Sequence, residues 1–197
     1  MAEQWELIER NPFKRVKALR VDQKQPLFLA QKEIQAIAEQ IRPHARPFLF
    51  LALYTGMRLG EVTNLQWADI DWDRRVIHVV NRGTHHTKSR KERQIPIHDR
   101  LYQLLQVIPK CGLKVWPYTD GALSRNFKEA VRKAGLSEEI SFHTLRHTFA
   151  SYLVELGQPI RQVQELLGHS NVTVTEIYAH LQNDSLRKAV AVLEFAD

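Results

Sequence analysis

The hydrophobic pattern changes period twice along this chain, and those two changes constrain the fold more than any other feature. Up to Trp67 the apolar residues recur at helical spacing. One set is Ile34, Ile37, Ala38 and Ile41; a second, restarted at Pro43, runs through Phe48, Leu51, Leu53 and Tyr54. Gly56 is placed to end that second helix, and Leu59 to Leu65 reads as a further short one. After Trp67 the spacing alternates, so that residues 68–71, 76–80 and 93–97 read as three short strands. Beyond Asp99 helical spacing returns with Leu101, Leu104 and Leu105; then Leu123, Phe127 and Val131; then Leu145, Phe149, Leu153 and Leu156; then Ile160, Val163, Leu166 and Leu167. The expectation is an α+β fold, mostly α-helical, with a small three-stranded antiparallel sheet.

A chain of 197 residues is long enough to bury a core as one domain, but two full domains would be a squeeze. Residues 1–24 are polar, mix basic and acidic side chains and contain Asn11-Pro12-Phe13, which starts a turn; they read as a linker or arm. Residues 25–182 form the expected domain. In residues 183–197 the apolar stripe of Leu186, Val190 and Leu193 predicts a C-terminal helix that docks either on a neighbouring protomer or on its own domain. Lys and Arg number 28 against 22 Asp and Glu, a basic excess that favours a polyanionic partner. One cysteine, Cys111, excludes an internal disulfide and fits a reducing compartment. Neither an apolar signal region nor a stretch of membrane-spanning length is visible, so a cytoplasmic protein without membrane contact is expected.

Five residues carry reactive chemistry: Arg58, His143, Arg146, His169 and Tyr178. Arginine forks bind paired phosphate oxygens, histidine moves protons near neutral pH, and a tyrosine hydroxyl can carry a phosphoryl group as a covalent ester. Arg58 follows Gly56 at a helix start, where it serves either as a structural partner of Glu61 or as an anion-binding group. His143 and Arg146 lie three apart and share a helical face. His143 and His147, four apart, form a rival metal pair, but the residue after His143 is Thr144, which leaves H-E-x-x-H without its general base. His169 reads either as a buried, hydrogen-bonded side chain or as a polar group aimed out of the core after Gly168. The stretch from Arg82 to Arg93 holds five basic residues against one acid, Glu92, and reads as a solvated turn or a DNA-facing hairpin tip.

These motifs, in this order, resemble the catalytic domain of the tyrosine recombinases, the phage integrase family. The matching stretches are Tyr54-Thr55-Gly56-Met57-Arg58-Leu59-Gly60-Glu61, the basic turn from Thr87 to Pro96, His143-Thr144-Leu145-Arg146-His147, Leu167-Gly168-His169-Ser170 and Thr175-Glu176-Ile177-Tyr178. The resemblance runs from about Leu27 to about Leu193. It implies that Tyr178 is the nucleophile and that Arg58, Arg146 and His169 hold the scissile phosphate. It further implies that His143 handles the tyrosine's proton and that Lys88, with Lys91 as fallback, protonates the leaving 5′-oxygen. His147 is then a capping or packing residue. Arg82, His85, His86, Arg90, Lys91 and Arg93 are expected to contact DNA, the two turn histidines facing phosphate rather than metal. The family also implies double-stranded DNA as partner, self-association on DNA as dimer or tetramer, no metal, no cofactor and no small-molecule substrate. Upstream of Leu27 the sequence has room only for a linker, so the family's separate helical DNA-binding domain is expected to be missing.

The expected activity is site-specific DNA recombination by metal-free transesterification through a 3′-phosphotyrosyl intermediate. Two rivals stand beside it: a type IB topoisomerase, which uses the same chemistry to rejoin one strand, and a non-catalytic DNA-binding remnant.

Overall fold

A computed structural model of the chain describes residues 26–80, 92–169 and 178. After an extended lead-in, helix α1 spans Gln31–Gln40. A single 3-10 turn, Pro43–Ala45, then starts α2, Arg46–Thr55. Proline at the first turn costs no hydrogen bond there, because that N–H has no helical partner. Gly56 closes α2 in the left-handed region, φ 62°, and α3 follows at Leu59–Thr63. The expected restart at Pro43 and stop at Gly56 are both present; α3 ends two residues before Leu65.

The strands are shorter than the alternation suggests: β1 Ile70–Asp71, β2 Val76–Val79 and β3 Arg93–Pro96. They form one antiparallel sheet in the order β1-β2-β3, with Ile70 opposite Ile77 and Ile77 opposite Ile95. That register turns the three isoleucines to one face, where all are buried; a one-residue slip would expose them. Four more helices follow among the described residues: α4 Asp99–Gln106, α5 Asp120–Lys133, α6 Phe142–Glu155 and α7 Ile160–Leu167. This is the α+β, mostly helical architecture that the periodicity predicts.

The main core gathers Ile37, Phe48, Leu51, Leu101, Phe127 and Leu145 from α1, α2, α4, α5 and α6. A second cluster, Ala150, Val154, Val163, Leu167 and Tyr178, packs α6 against α7. Between the two clusters lie the C-terminal end of α2, the start of α3, the first residue of β3 and the C-terminal end of α7. Among the described residues no helix is long and apolar enough to cross a membrane.

Candidate active site

Arg146 sits at the centre of this junction. It lies on the inner face of α6 with Phe142 and Ala150, and only 2% of it is exposed. A buried guanidinium must find acceptors, and Arg146 finds them at two helix ends. Its Nη1 donates to the Gly56 carbonyl at 2.7 Å and its Nη2 to the Leu167 carbonyl at 2.7 Å. Terminal helix carbonyls lack intrahelical partners and carry the negative end of the dipole, so both favour a cation. Burial, and then repulsion by Arg58, push the Arg146 guanidinium down to about 9. It is still charged at pH 7.

Arg58 is the N-cap of α3, with extended backbone. Its N–H donates to Glu61 Oε2 at 2.8 Å and its Nη1 to Glu61 Oε1 at 3.0 Å. The structural partnership with Glu61 is therefore present, yet 22% of the Arg58 side chain stays exposed, against 6% for Glu61. Arg93 grips the same carboxylate from β3 with a two-pronged fork, at 3.0 and 2.8 Å. Burial alone would raise the Glu61 carboxyl, but the hydrogen bonds and charge of Arg93, and then Arg58, outweigh it and hold the group below the ordinary carboxylate range. Arg93, expected to contact DNA, spends its side-chain donors on Glu61 and the Leu166 carbonyl. Its side chain is 6% exposed, because the buried Glu61 carboxylate and the end of α7 draw it inward.

His169 follows Gly168, the left-handed cap of α7 at φ 66°, and is half-buried. Burial, reinforced by Arg146, Arg58, Arg93 and His143, pushes its imidazole down to about 3. At neutral pH it is an uncharged group in a positive field, able to donate one N–H to an oxyanion.

Tyr178 is 1% exposed. Its hydroxyl meets His147 Nδ1 at 2.5 Å, and the His143 and His147 rings touch edge to face, 4.7 Å between centroids. The histidine at the tyrosine hydroxyl is thus His147, one helical turn beyond His143, to which the family resemblance gives that role. The i, i+4 spacing that brings the two rings together is visible in the sequence, where it supports only the metal reading. Burial pushes Tyr178 up to about 12, partly offset by Arg146. Burial, then His143 and Arg146, push His147 down to about 4. The hydroxyl and the imidazole are therefore both neutral, and the imidazole tautomer sets which of them donates.

Arg58, His143, Arg146, His169 and Tyr178 come together from segments spread over the chain. Arg82, His85, His86, Lys88, Arg90 and Lys91 lie outside the described residues, as does the tail 183–197. Glu61 and Arg93 organise the site: the pairing of Glu61 with Arg58 is one of the two readings the sequence offers, whereas nothing around Arg93 signals its grip on Glu61.

The phage integrase family model matches residues 27–185. The chain belongs to the phage integrase family, whose members are site-specific DNA recombinases. A tyrosine recombinase of Thermosipho africanus is 31% identical over 199 residues, covering 95% of this chain and 69% of that protein. The chain spans about two thirds of the length of such curated relatives, 63% and 66% in two others. The catalytic domain of bacteriophage HP1 integrase superposes with a TM-score of 0.68 at 30% identity, covering 84% of this chain and 94% of that domain. The Tn1549 transposon integrase, in complex with transposon right end DNA, superposes with a TM-score of 0.74 at 25% identity, covering 94% of this chain and 72% of that one.

Proposed function

We propose that the chain cuts and rejoins double-stranded DNA at specific sites by transesterification, with Tyr178 as nucleophile and neither metal nor cofactor. The observation that carries this reading is the contact of the Tyr178 hydroxyl with His147 on α6, one residue from the buried Arg146, with Arg58 and His169 in the same electrostatic neighbourhood. The tyrosine oxygen forms a bond to phosphorus while the bond to the 5′-oxygen breaks. The tyrosine proton passes to the His143–His147 pair, and Lys88 returns a proton to the leaving oxygen. A second strand's 5′-hydroxyl then reverses the step.

Charge on the phosphoryl oxygens grows as phosphorus becomes five-coordinate, so preorganised cations stabilise that state more than the ground state. Arg146 is held by two helix ends and Arg58 by Glu61, so neither must be reordered when the phosphate arrives. Burial first, and nearby cations second, hold His147 and His169 neutral, and an anionic phosphate offsets the second of these causes, favouring a proton on the imidazole. Self-association on DNA through residues 183–197 belongs to the same reading.

The test is a nicked duplex whose cleaved fragment diffuses away, trapping the covalent adduct. The unaltered chain should yield a protein–DNA band that survives divalent-metal chelation, and Tyr178→Phe should lose the band while retaining DNA binding. A band persisting in Tyr178→Phe would refute the nucleophile. Relaxation of supercoiled DNA without strand exchange would favour the topoisomerase reading.

A further inference from the structure

Arg93 makes three contacts that together span the site. Its fork takes both oxygens of Glu61, which also accept from the backbone N–H and Nη1 of Arg58. Its Nε donates to the Leu166 carbonyl at 2.7 Å, and the next carbonyl, Leu167, is the one held by Arg146. Two successive carbonyls at the end of α7 are thus gripped by two different arginines. Its side chain also lies against Gly168, where an added Cβ would fall 2.9 Å from Arg93 Cδ and 3.1 Å from Nη1. The backbone that presents His169 therefore rests on Arg93.

The charge arrangement points the same way. Arg58 and Arg93 share one carboxylate, so the three groups together carry one net positive charge. Without Arg93, Glu61 would neutralise Arg58 one to one, and the phosphate would meet a weaker field. Lysine in place of arginine would keep the charge but lose the planar fork and the simultaneous reach to Leu166.

We infer that Arg93 is a positioning residue for DNA cleavage, bracing Glu61 and the Leu166–His169 turn so that Arg58 and His169 address one phosphate. With 6% of its side chain exposed, it acts through these neighbours rather than by touching DNA. The inference rests on the recombinase reading above.

The experiment compares the unaltered chain with Arg93→Lys and Arg93→Ala in single-turnover cleavage of the nicked duplex, alongside DNA affinity and the titration of the His169 imidazole by NMR. Misplacement of catalytic groups by about an ångström slows reactions on the order of 100-fold. Arg93→Lys should therefore cleave about 10- to 100-fold more slowly with DNA affinity within about threefold. In Arg93→Ala the His169 imidazole should titrate at higher pH, because one of the charges that depress it is gone. In Arg93→Lys it should stay near its original position. A folded Arg93→Lys that cleaves at the unaltered rate would overturn the inference, as would failure of both variants to fold, which would make Arg93 structural only. Absence of any covalent adduct with the unaltered chain would instead refute the recombinase reading itself.

Discussion

Gly56→Ala tests how tightly the buried Arg146 guanidinium depends on one backbone position. Gly56 sits at φ +62°, and a Cβ built there would lie 2.5 Å from Phe149 Cδ1 and 2.9 Å from Leu167 Cδ2. Two costs follow. A non-glycine residue in the left-handed region costs about 1–2 kcal/mol, and forcing a methyl into packed side chains costs about 1–3 kcal/mol. Together they predict a loss of about 2–5 kcal/mol, a large share of the ~5–15 kcal/mol that holds a domain together. Function should suffer beyond stability, because the Gly56 carbonyl accepts from Arg146 Nη1 at 2.7 Å and any shift of the peptide moves that guanidinium. The assay is urea unfolding at pH 7, paired with nicked-duplex cleavage at a temperature where both proteins are folded. Gly60→Ala is the control: the nearest atom to its added Cβ is Asp120 Oδ2 at 3.5 Å, and alanine is the better helix former by about 1 kcal/mol. Its stability should be unchanged or slightly raised. A Gly56→Ala protein destabilised by less than about 1 kcal/mol would refute the steric reasoning.

Three further outcomes are expected. His147 is held well below its unfolded value of 6.5, at about 4, so the unfolded chain binds the extra proton first and stability should fall as pH drops from about 6.5 to about 4. His147→Gln, which keeps a neutral partner for Tyr178 but does not titrate, should lose less stability between pH 7 and pH 5 in urea titrations; equal losses would contradict the burial of a neutral imidazole. Lys88→Ala should cleave ordinary DNA slowly but a substrate with sulfur at the leaving position much faster, since sulfur needs little protonation, and equal defects on both would move the role to Lys91 or to water. DNA affinity should drop steeply with salt, by about 0.9 log units per log unit of salt for each phosphate contacted, and a flat salt response in a footprinting titration would contradict phosphate-dominated binding.

Local chemistry is enough to reveal much of this protein. Proline at the start of α2, glycine at its end and the alternation within 68–71, 76–80 and 93–97 are choices that backbone sterics and side-chain period impose within a few residues, so these elements are legible in the sequence alone. The register that aligns Ile70, Ile77 and Ile95 is not. The candidate set can be picked out too, because Arg58, His143, Arg146, His169 and Tyr178 each stand inside a short motif. Roles that depend on a partner far along the chain are not legible. Arg93 reads in sequence as one more cation of a basic turn, yet its partners are Glu61, 32 positions away, and Leu166, 73 positions away. His147 reads as packing, yet it holds a hydroxyl 31 positions on. A charged or polar side chain carries no local mark of which buried acceptor it will satisfy. That choice is made only when packing removes water and leaves each buried group with the few partners in reach.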